Sequence, residues 1–226
     1  MFGLAPSLLC ANQIDMKSQL EQLETFDIDW YHIDTMDGNF VPNFAFGTDF
    51  VRQLRKAVSK PIYVHLMAVN PLNHVKTFSD AGADYFCFHI ETTHNPYRLA
   101  SEIAKHKMKA AVAVNPFTPV TILENLLPHI DAVTLMAIEP GFSGQKFMDF
   151  TYEKIRQLKK LVNETQTKIL IEVDGGADPL IAQKCIVSGA DVVVGGYFSI
   201  FDRDYSLKEN YDRYMKTIKK IKSGAL

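Results

Sequence analysis

Short apolar runs recur along the chain and alternate with segments whose apolar residues return every three or four positions. The runs are short and bounded by Gly, Pro, Asn or Asp, which favours strands over buried helices. The eight predicted strands are residues 4–9, 30–36, 62–67, 85–91, 109–115, 132–138, 168–174 and 191–196. Helical periodicity is clearest in residues 15–26, 48–59 and 150–165.

Strands that alternate with helices predict βα units and a parallel sheet. Two helix-to-strand junctions repeat one pattern, in which Gly82 and Gly189 are placed to end a helix just before an apolar run. Eight such units predict an α/β fold of the closed (β/α)8 TIM-barrel type, with an open doubly wound sheet as the alternative. No linker divides the chain, so residues 1–226 are expected to form a single domain.

The charge of the chain is nearly balanced, since 26 acidic and 24 basic residues leave a net −2. It has no basic excess that would attract nucleic acid. Cys10, Cys87 and Cys185 are isolated, which favours a reducing compartment over a disulfide framework. We find neither a signal-peptide pattern nor an apolar run long enough to span a membrane, so a cytoplasmic protein without nucleic-acid or membrane partners is expected.

Polar side chains gather at the ends of the predicted strands, where the chemistry of a (β/α)8 barrel lies. His32 and Asp34 are two residues apart and therefore share one face of a strand. His65 and Asp174 end two other strands. Two imidazoles with two carboxylates suit Zn²⁺, Fe²⁺, Mn²⁺ or Co²⁺, and the alternative is that both histidines are core residues with satisfied hydrogen bonds.

Glycine-rich loops follow the last three predicted strands, at residues 139–145, 174–178 and 195–196. Backbone N–H groups in such loops form a phosphate site in many barrels, although each loop could simply be a tight turn. Met36, Met67 and Met136 lie at or just past strand ends. They are either packing filler or an apolar wall beside a reacting carbon.

The sequence resembles the ribulose-phosphate 3-epimerase family over nearly its whole length. The shared segments, in order, are APSLLCAN, HIDTMDGNFVPNFAFG, HLM, AGAD, HIE, VNPFTP, EPGFSGQKF and IEVDGG. The resemblance implies a barrel of the ribulose-phosphate-binding type. It also implies a divalent metal ion bound by His32, Asp34, His65 and Asp174, with Zn²⁺ expected first and Fe²⁺, Mn²⁺ or Co²⁺ as alternatives.

The resemblance implies roles for further residues. Asp34 and Asp174 would be the catalytic acid/base pair, moving a proton at carbon 3 of a ketose phosphate through a metal-stabilised enediolate. Ser7 and His65 would contact the substrate, and the three methionines would surround its reacting carbon. The substrate's phosphate would be held by Gly141, Phe142, Ser143, Gly144, Gly175, Gly176, Gly195 and Gly196.

One departure from the family pattern lies at the end of the last strand. Tyr197 and Phe198 follow Gly196 where relatives carry a Gly-Ser or Gly-Thr-Ser that contacts phosphate. The tail after them is long and resembles the D-allulose-6-phosphate 3-epimerase branch in length. The expected reaction is the interconversion of D-ribulose 5-phosphate and D-xylulose 5-phosphate, with D-allulose 6-phosphate and D-fructose 6-phosphate as the alternative pair.

Other functions remain open on the residues alone. A metal-dependent hydrolase would use the same ligands to activate water, and a non-catalytic sugar-phosphate-binding barrel would keep the fold without the reaction. A decarboxylase of the phosphate-binding type would need a lysine among the strand ends, and none is found there. The resemblance further implies a homo-oligomer, a dimer or a hexamer, in which Phe44, Phe46 and Phe150 could serve an interface.

Overall fold

The computed structural model describes residues 3–222. Its eight strands lie where the apolar runs predict them, with ends that differ by at most three residues. The strands are β1 Gly3–Pro6, β2 Tyr31–Met36, β3 Ile62–Met67, β4 Tyr85–His89, β5 Lys109–Val114, β6 Ala132–Met136, β7 Leu170–Asp174 and β8 Val192–Gly195.

Helices follow most of the strands. They are α1 Met16–Leu23, α2 Thr48–Ala57, α3 Val75–Ala81, α4 Pro96–Lys105, α5 Thr151–Glu164, α6 Pro179–Ser188 and α7 Leu207–Lys222. Between β5 and β6 the chain instead makes two short 3₁₀ turns, Val120–Leu123 and Leu127–His129. Gly82 and Gly189 cap α3 and α6 with φ of 95° and 118°, which confirms the repeated junction.

All eight strands are parallel and form one sheet in the order β1-β8-β7-β6-β5-β4-β3-β2. A parallel bridge between Ser7 and His32 links the two remaining edges, so the sheet closes on itself. The predicted TIM barrel is therefore confirmed, and the open doubly wound sheet is wrong. The larger apolar core lies between the barrel and the surrounding helices, and a smaller one, including Trp30, Tyr63 and Tyr85, fills the barrel itself.

The strand ends position the polar residues. Residues two apart on a strand point to the same side of the sheet, so the side chains of His32 and Asp34 enter the barrel together. The register sets Asp34 beside His65, and Met136 beside Asp174. These pairs lie at the carboxyl ends of the strands, which is the functional end of this fold. Within residues 3–222 no helix is long and apolar enough to cross a membrane.

Candidate active site

Four side chains meet at the carboxyl end of the barrel: His32, Asp34, His65 and Asp174. The two histidine rings are fully buried, and the aspartate side chains are 8% and 13% exposed. One ligand atom from each residue lies within 4.8 Å of the others. The set that the sequence predicts from three separate strands is therefore a single cluster.

Five of the six separations among these atoms match those of ligands around a tetrahedral metal ion. His32 Nε2 lies 3.2 Å from His65 Nδ1, and each of these nitrogens lies 3.2–3.5 Å from Asp34 Oδ1 and Asp174 Oδ2. A tetrahedral ion whose N and O ligands lie at ~2.0–2.2 Å spaces those ligands about 3.3–3.6 Å apart. Two imidazoles and two carboxylates are ligand types that suit a divalent cation, and the distances between them suit it as well.

A third carboxylate lies behind the cluster. Glu172 on β7 is fully buried, and it accepts hydrogen bonds from Trp30 Nε1 at 2.8 Å and from Thr134 Oγ1 at 2.7 Å. His32 Nδ1 lies 3.2 Å from the same carboxylate. A carboxylate in this position holds a proton on Nδ1, which leaves Nε2 with its lone pair directed at the cluster.

The cluster as a whole attracts positive charge. Burial lowers the pKa of His32, but the charges of Glu172 and of the two aspartates outweigh burial and hold the pKa well above its ordinary value. For Asp34, burial acts to raise the pKa. The charges and hydrogen bonds of the two histidines outweigh burial, so the pKa of Asp34 lies well below the usual range. Protons on the imidazoles and a metal ion thus compete for one site.

A cavity opens above the cluster. Asp34 and Asp174 line it, whereas His32 and His65 do not and lie behind the aspartates. Ser7 also lines the cavity, and its hydroxyl donates to Asp34 Oδ2 at 2.7 Å. The hydroxyl predicted to contact substrate is thus engaged with a carboxylate of the cluster.

The three methionines form one wall of this cavity. Met36, Met67 and Met136 all line it and are almost completely buried. Met36 and Met67 are cross-strand partners on β2 and β3. They pack with Val41 in a small apolar group separate from the main core. An apolar wall beside the carboxylates excludes water from the place where a proton would be transferred.

The opposite wall consists of the glycine-rich loops. The predicted residues that line it are Gly141, Phe142, Ser143, Gly144, Gly175, Gly176, Gly196, Tyr197 and Phe198. Gly176 has φ of 66°, and a Cβ there would lie 2.7 Å from the backbone N of Phe147. Only glycine fits at this close approach. Gly195 does not line the cavity; it ends β8 and packs against Leu4 and Ile200.

The residues after β8 place aromatic side chains, and not a serine hydroxyl, at the cavity. Tyr197 and Phe198 border the cavity, and Phe198 is 45% exposed. The next hydroxyl, on Ser199, is buried and lies 3.4 Å from the carbonyl of Gly196, so it does not reach the cavity. The side-chain hydroxyl available among the glycine loops is that of Ser143, on the loop after β6.

His89 and Glu91 lie behind His65. His89 is fully buried, and its Nε2 lies 2.9 Å from His65 Nε2. Burial lowers the pKa of His89 to about 4, so its ring is neutral at pH 7. Burial acts to raise the pKa of Glu91, but the close contact with His89 and hydrogen bonds from Thr118 and the backbone N–H of Asn115 lower it to about 2.

Sequence reasoning missed some residues of the site. Glu172 was not singled out, although a charged residue two positions before Asp174 in an apolar strand must point into the same barrel interior. Cys10, which lines the cavity beside Ser143, carried no signal beyond being an isolated cysteine. Burial raises the pKa of its thiol to about 12, so it is not a nucleophile at neutral pH.

Comparison with known proteins places this geometry in a family. The fold resembles that of a mutant tryptophan synthase alpha-subunit from Pyrococcus furiosus, with a TM-score of 0.69 over 97% of this chain and 100% of that one at 14% identity, a likeness of fold alone. Residues 3–200 match the model of the ribulose-phosphate 3 epimerase family.

Curated relatives match over most of their length. A ribulose-phosphate 3-epimerase from Rhodobacter capsulatus is 36% identical over 99% of this chain and 96% of its own. One from Treponema pallidum is 39% identical over 86% of this chain and 89% of its own. The chloroplastic ribulose-5-phosphate-3-epimerase of Arabidopsis thaliana is 38% identical over 90% of this chain and 73% of its own.

Fold and site together define a (β/α)8-barrel enzyme with a buried histidine–carboxylate cluster suited to a divalent cation. The chain belongs to the ribulose-phosphate 3-epimerase family, and it is an isomerase that acts on carbohydrates.

Proposed function

We propose that this protein interconverts D-ribulose 5-phosphate and D-xylulose 5-phosphate by moving the proton on carbon 3 from one face of the sugar to the other. The observation that carries the proposal is the cluster itself, in which two carboxylates from well-separated strands line the cavity and meet two buried imidazoles at distances that suit a metal ion. The names of the relatives support the same substrate class.

Inversion at carbon 3 requires a base on one face of the sugar and an acid on the other. Asp34 lies on β2 and Asp174 ends β7. Their side chains can therefore act from two sides of a substrate placed between them. One takes the proton of carbon 3 while the other, protonated, returns one, and the roles exchange in the reverse direction. Ser7 keeps Asp34 in place through its hydrogen bond at 2.7 Å.

A divalent cation bound to His32, Asp34, His65 and Asp174 would act as a Lewis acid that stabilises the negative charge developing on the substrate oxygens. We propose Zn²⁺, because a tetrahedral site with nitrogen and oxygen ligands is typical of it. Fe²⁺, Mn²⁺ and Co²⁺ are the alternatives, and elemental analysis of the purified protein distinguishes among them.

The phosphate is proposed to lie against the glycine loops. Positive φ angles at Gly144, Gly175 and Gly176 turn the backbone there, and Ser143 offers the hydroxyl. This contact, remote from carbon 3, orients the reacting carbon between the carboxylates. Tyr197 and Phe198 border the same end of the cavity, so they are the residues that would separate five- from six-carbon substrates.

Proton NMR in D₂O tests the proposal. Purified protein is given D-ribulose 5-phosphate or D-allulose 6-phosphate, each with and without a chelator. We expect deuterium at carbon 3 of the five-carbon substrate and formation of D-xylulose 5-phosphate, both suppressed by the chelator and restored by added Zn²⁺. Preference for the six-carbon substrate would instead favour D-allulose 6-phosphate and D-fructose 6-phosphate. Absence of exchange with either substrate would rule out the epimerase.

We further propose that the chain acts in the cytoplasm as a single-domain homo-oligomer, a dimer or hexamer. Three free, buried cysteines suit a reducing compartment. Phe44 and Phe150 are 77% and 44% exposed, whereas Phe46 stacks on Phe50 with ring centroids 3.9 Å apart. The first two are therefore the interface candidates, and light scattering of wild type and Phe44→Ser measures the assembly.

A further inference from the structure

We propose that Glu91 and His89 form a hydrogen-bonded chain that positions His65 and fixes which of its ring nitrogens faces the metal. The inference rests on the metal cluster of the proposed function and adds two residues that do not belong to it. Neither Glu91 nor His89 lines the cavity with the catalytic carboxylates. Both act, on this view, through His65 alone.

The first link is the contact between two imidazoles. His65 Nδ1 faces the cluster, at 3.2 Å from Asp34 Oδ1, and its Nε2 lies 2.9 Å from Nε2 of His89. Two imidazole nitrogens at this distance need one proton between them. If His65 binds a cation through Nδ1, that nitrogen carries no proton, so Nε2 of His65 carries it and donates to His89.

The second link fixes the proton of His89. Since its Nε2 accepts, the remaining proton of the neutral ring lies on Nδ1. That nitrogen is buried, and within residues 3–222 it has no partner at ordinary hydrogen-bond geometry. The carboxylate oxygen Oε2 of Glu91 lies 3.4 Å from it, a long contact that makes Glu91 the charged group able to hold this proton.

The third link holds Glu91. Its other oxygen, Oε1, accepts from the backbone N–H of Asn115 at 2.9 Å and from the hydroxyl of Thr118 at 2.5 Å. A backbone N–H can only donate, so the atom in the Oε1 position must be an acceptor. The carboxylate is thereby held with Oε2 directed at His89.

The other cluster histidine has a simpler arrangement of the same kind. Glu172 accepts directly from His32, and Trp30 fixes its orientation by donating to it at 2.8 Å. Carboxylates behind metal-bound histidines commonly hold the ring tautomer in this way. The chain behind His65 differs in that a second imidazole separates the carboxylate from the ligand.

Glu91→Gln tests the direction of the chain. The amide oxygen must take the Oε1 position to accept from Asn115, so the amide NH₂ faces His89 Nδ1. His89 Nδ1 must then accept a hydrogen bond where it donated one before. The reversal moves a proton to His89 Nε2 and then to His65 Nδ1, where it competes with the cation. We expect Co²⁺ to bind about 10- to 100-fold more weakly, the usual effect of losing an outer partner of a metal ligand.

Thr118→Val is the matched control, because it removes a hydrogen bond to the same carboxylate without touching His89. Affinity is measured by competition with a chromophoric chelator, together with the visible absorption of the Co²⁺ protein and the thermal midpoint of each metal-free variant. We expect Thr118→Val to bind Co²⁺ as wild type does. His89→Phe, which keeps the packing against Phe40 but cannot accept a proton, should weaken binding as Glu91→Gln does.

The outcomes separate the possibilities. Wild-type affinity and spectrum in Glu91→Gln would overturn the inference, and so would an equal loss in Thr118→Val, which would make Glu91 a brace for the loop after β5. If His89→Phe does not fold, Glu91→Gln still decides. Failure of the wild type to bind Co²⁺ or Zn²⁺ at all would overturn the proposed metal centre as well.

Discussion

At the scale of single residues, the site is defined by carboxylates that differ in their surroundings. Asp34 is hydrogen-bonded to Ser7 and lines the cavity. Glu172, two residues before Asp174 on β7, is fully buried and bonded to Trp30 and Thr134. Because access to the cavity is what a proton-transfer group needs, the proposed function assigns the proton transfer to the two aspartates and a supporting role to Glu172.

Replacing one aspartate at a time separates the two half-reactions. In Asp34→Asn or Asp174→Asn the remaining carboxylate reaches one face only, so epimerisation should fall by roughly 10²- to 10⁴-fold. Each variant should still exchange the carbon 3 hydrogen of one epimer, and the two variants should act on different epimers. Proton NMR in D₂O with each epimer measures this, with metal content determined in parallel. Equal exchange of both epimers by one variant would indicate a single base and contradict the mechanism.

At the scale of elements, the loops over the cavity are tied to one another. Asn43 on the loop after β2 donates through Nδ2 to the carbonyl of Gly141 on the loop after β6, at 2.8 Å. Val41 packs against the same glycine. Gln145 braces the second loop internally through two backbone carbonyls. Loops held in this way present the backbone of the proposed phosphate site in one conformation, which reduces the ordering cost of binding.

Loss of the link between these loops should weaken substrate binding more than it slows catalysis. Asn43→Ala removes one partly buried hydrogen bond, and a net loss of ~0.5–1.5 kcal/mol predicts a KM about 3- to 10-fold higher with little change in kcat. Asn39→Ala is the control on the same loop, since the side chain of Asn39 is exposed. Steady-state kinetics on both variants decides, and an unchanged KM in Asn43→Ala would show that the link is dispensable.

At the scale of the whole molecule, the cluster couples metal binding to folding. Residues distant in sequence bring their ligands together only when the barrel closes, so a bound ion stabilises the folded chain alone. Zn²⁺ at about 100 times its dissociation constant should add ~2.7 kcal/mol and raise the thermal midpoint by about 5–10 °C. Calorimetry with and without chelator measures the shift, and Asp174→Asn should lose it.

Acid should reduce that metal-dependent shift. Burial opposes protonation of His65, but hydrogen bonds to Asp174 and Asp34 raise its pKa above the ordinary value. Protons therefore compete for the ligand nitrogens already at pH values above 6.5, and the shift should shrink steadily as the pH is lowered towards 6. A shift that is constant over this range would argue against histidine ligands.

Glu91 gives the metal-free protein its own pH dependence. Its pKa is about 2 in the folded chain and 4.5 ordinarily, so its contribution to stability is present above pH 4.5 and is lost as the pH falls towards 2. We expect Glu91→Gln to lower the free energy of unfolding at pH 7 by on the order of 3 kcal/mol, with the difference vanishing near pH 2. Urea unfolding with chelator present at several pH values measures this difference, and a constant offset would contradict the assignment.

The sequence predicts those strands best whose local pattern of apolar residues is unambiguous. The strand from Ile62 to Met67 was predicted with its observed ends, because burial on both faces makes it an apolar run that only His65 interrupts. The first strand was placed too late, since it ends at Pro6 and the residues after Ser7 form a 3₁₀ turn. A short apolar turn and an apolar strand have the same local pattern.

The sequence by itself determined the alternation of strands and helices, the four residues of the cluster and the family, because a period of two fixes which side chains share a face and the motifs retain their order and spacing. Only the tertiary structure decided that Ser7 bonds to Asp34, that Gly195 lies outside the cavity, and that Glu172 and His89 stand behind the two histidines. These facts depend on the register and closure of eight strands, which bring together residues 140 or more positions apart, such as His32 and Glu172. Local patterns contain no information on distances between such residues, because folding alone sets them.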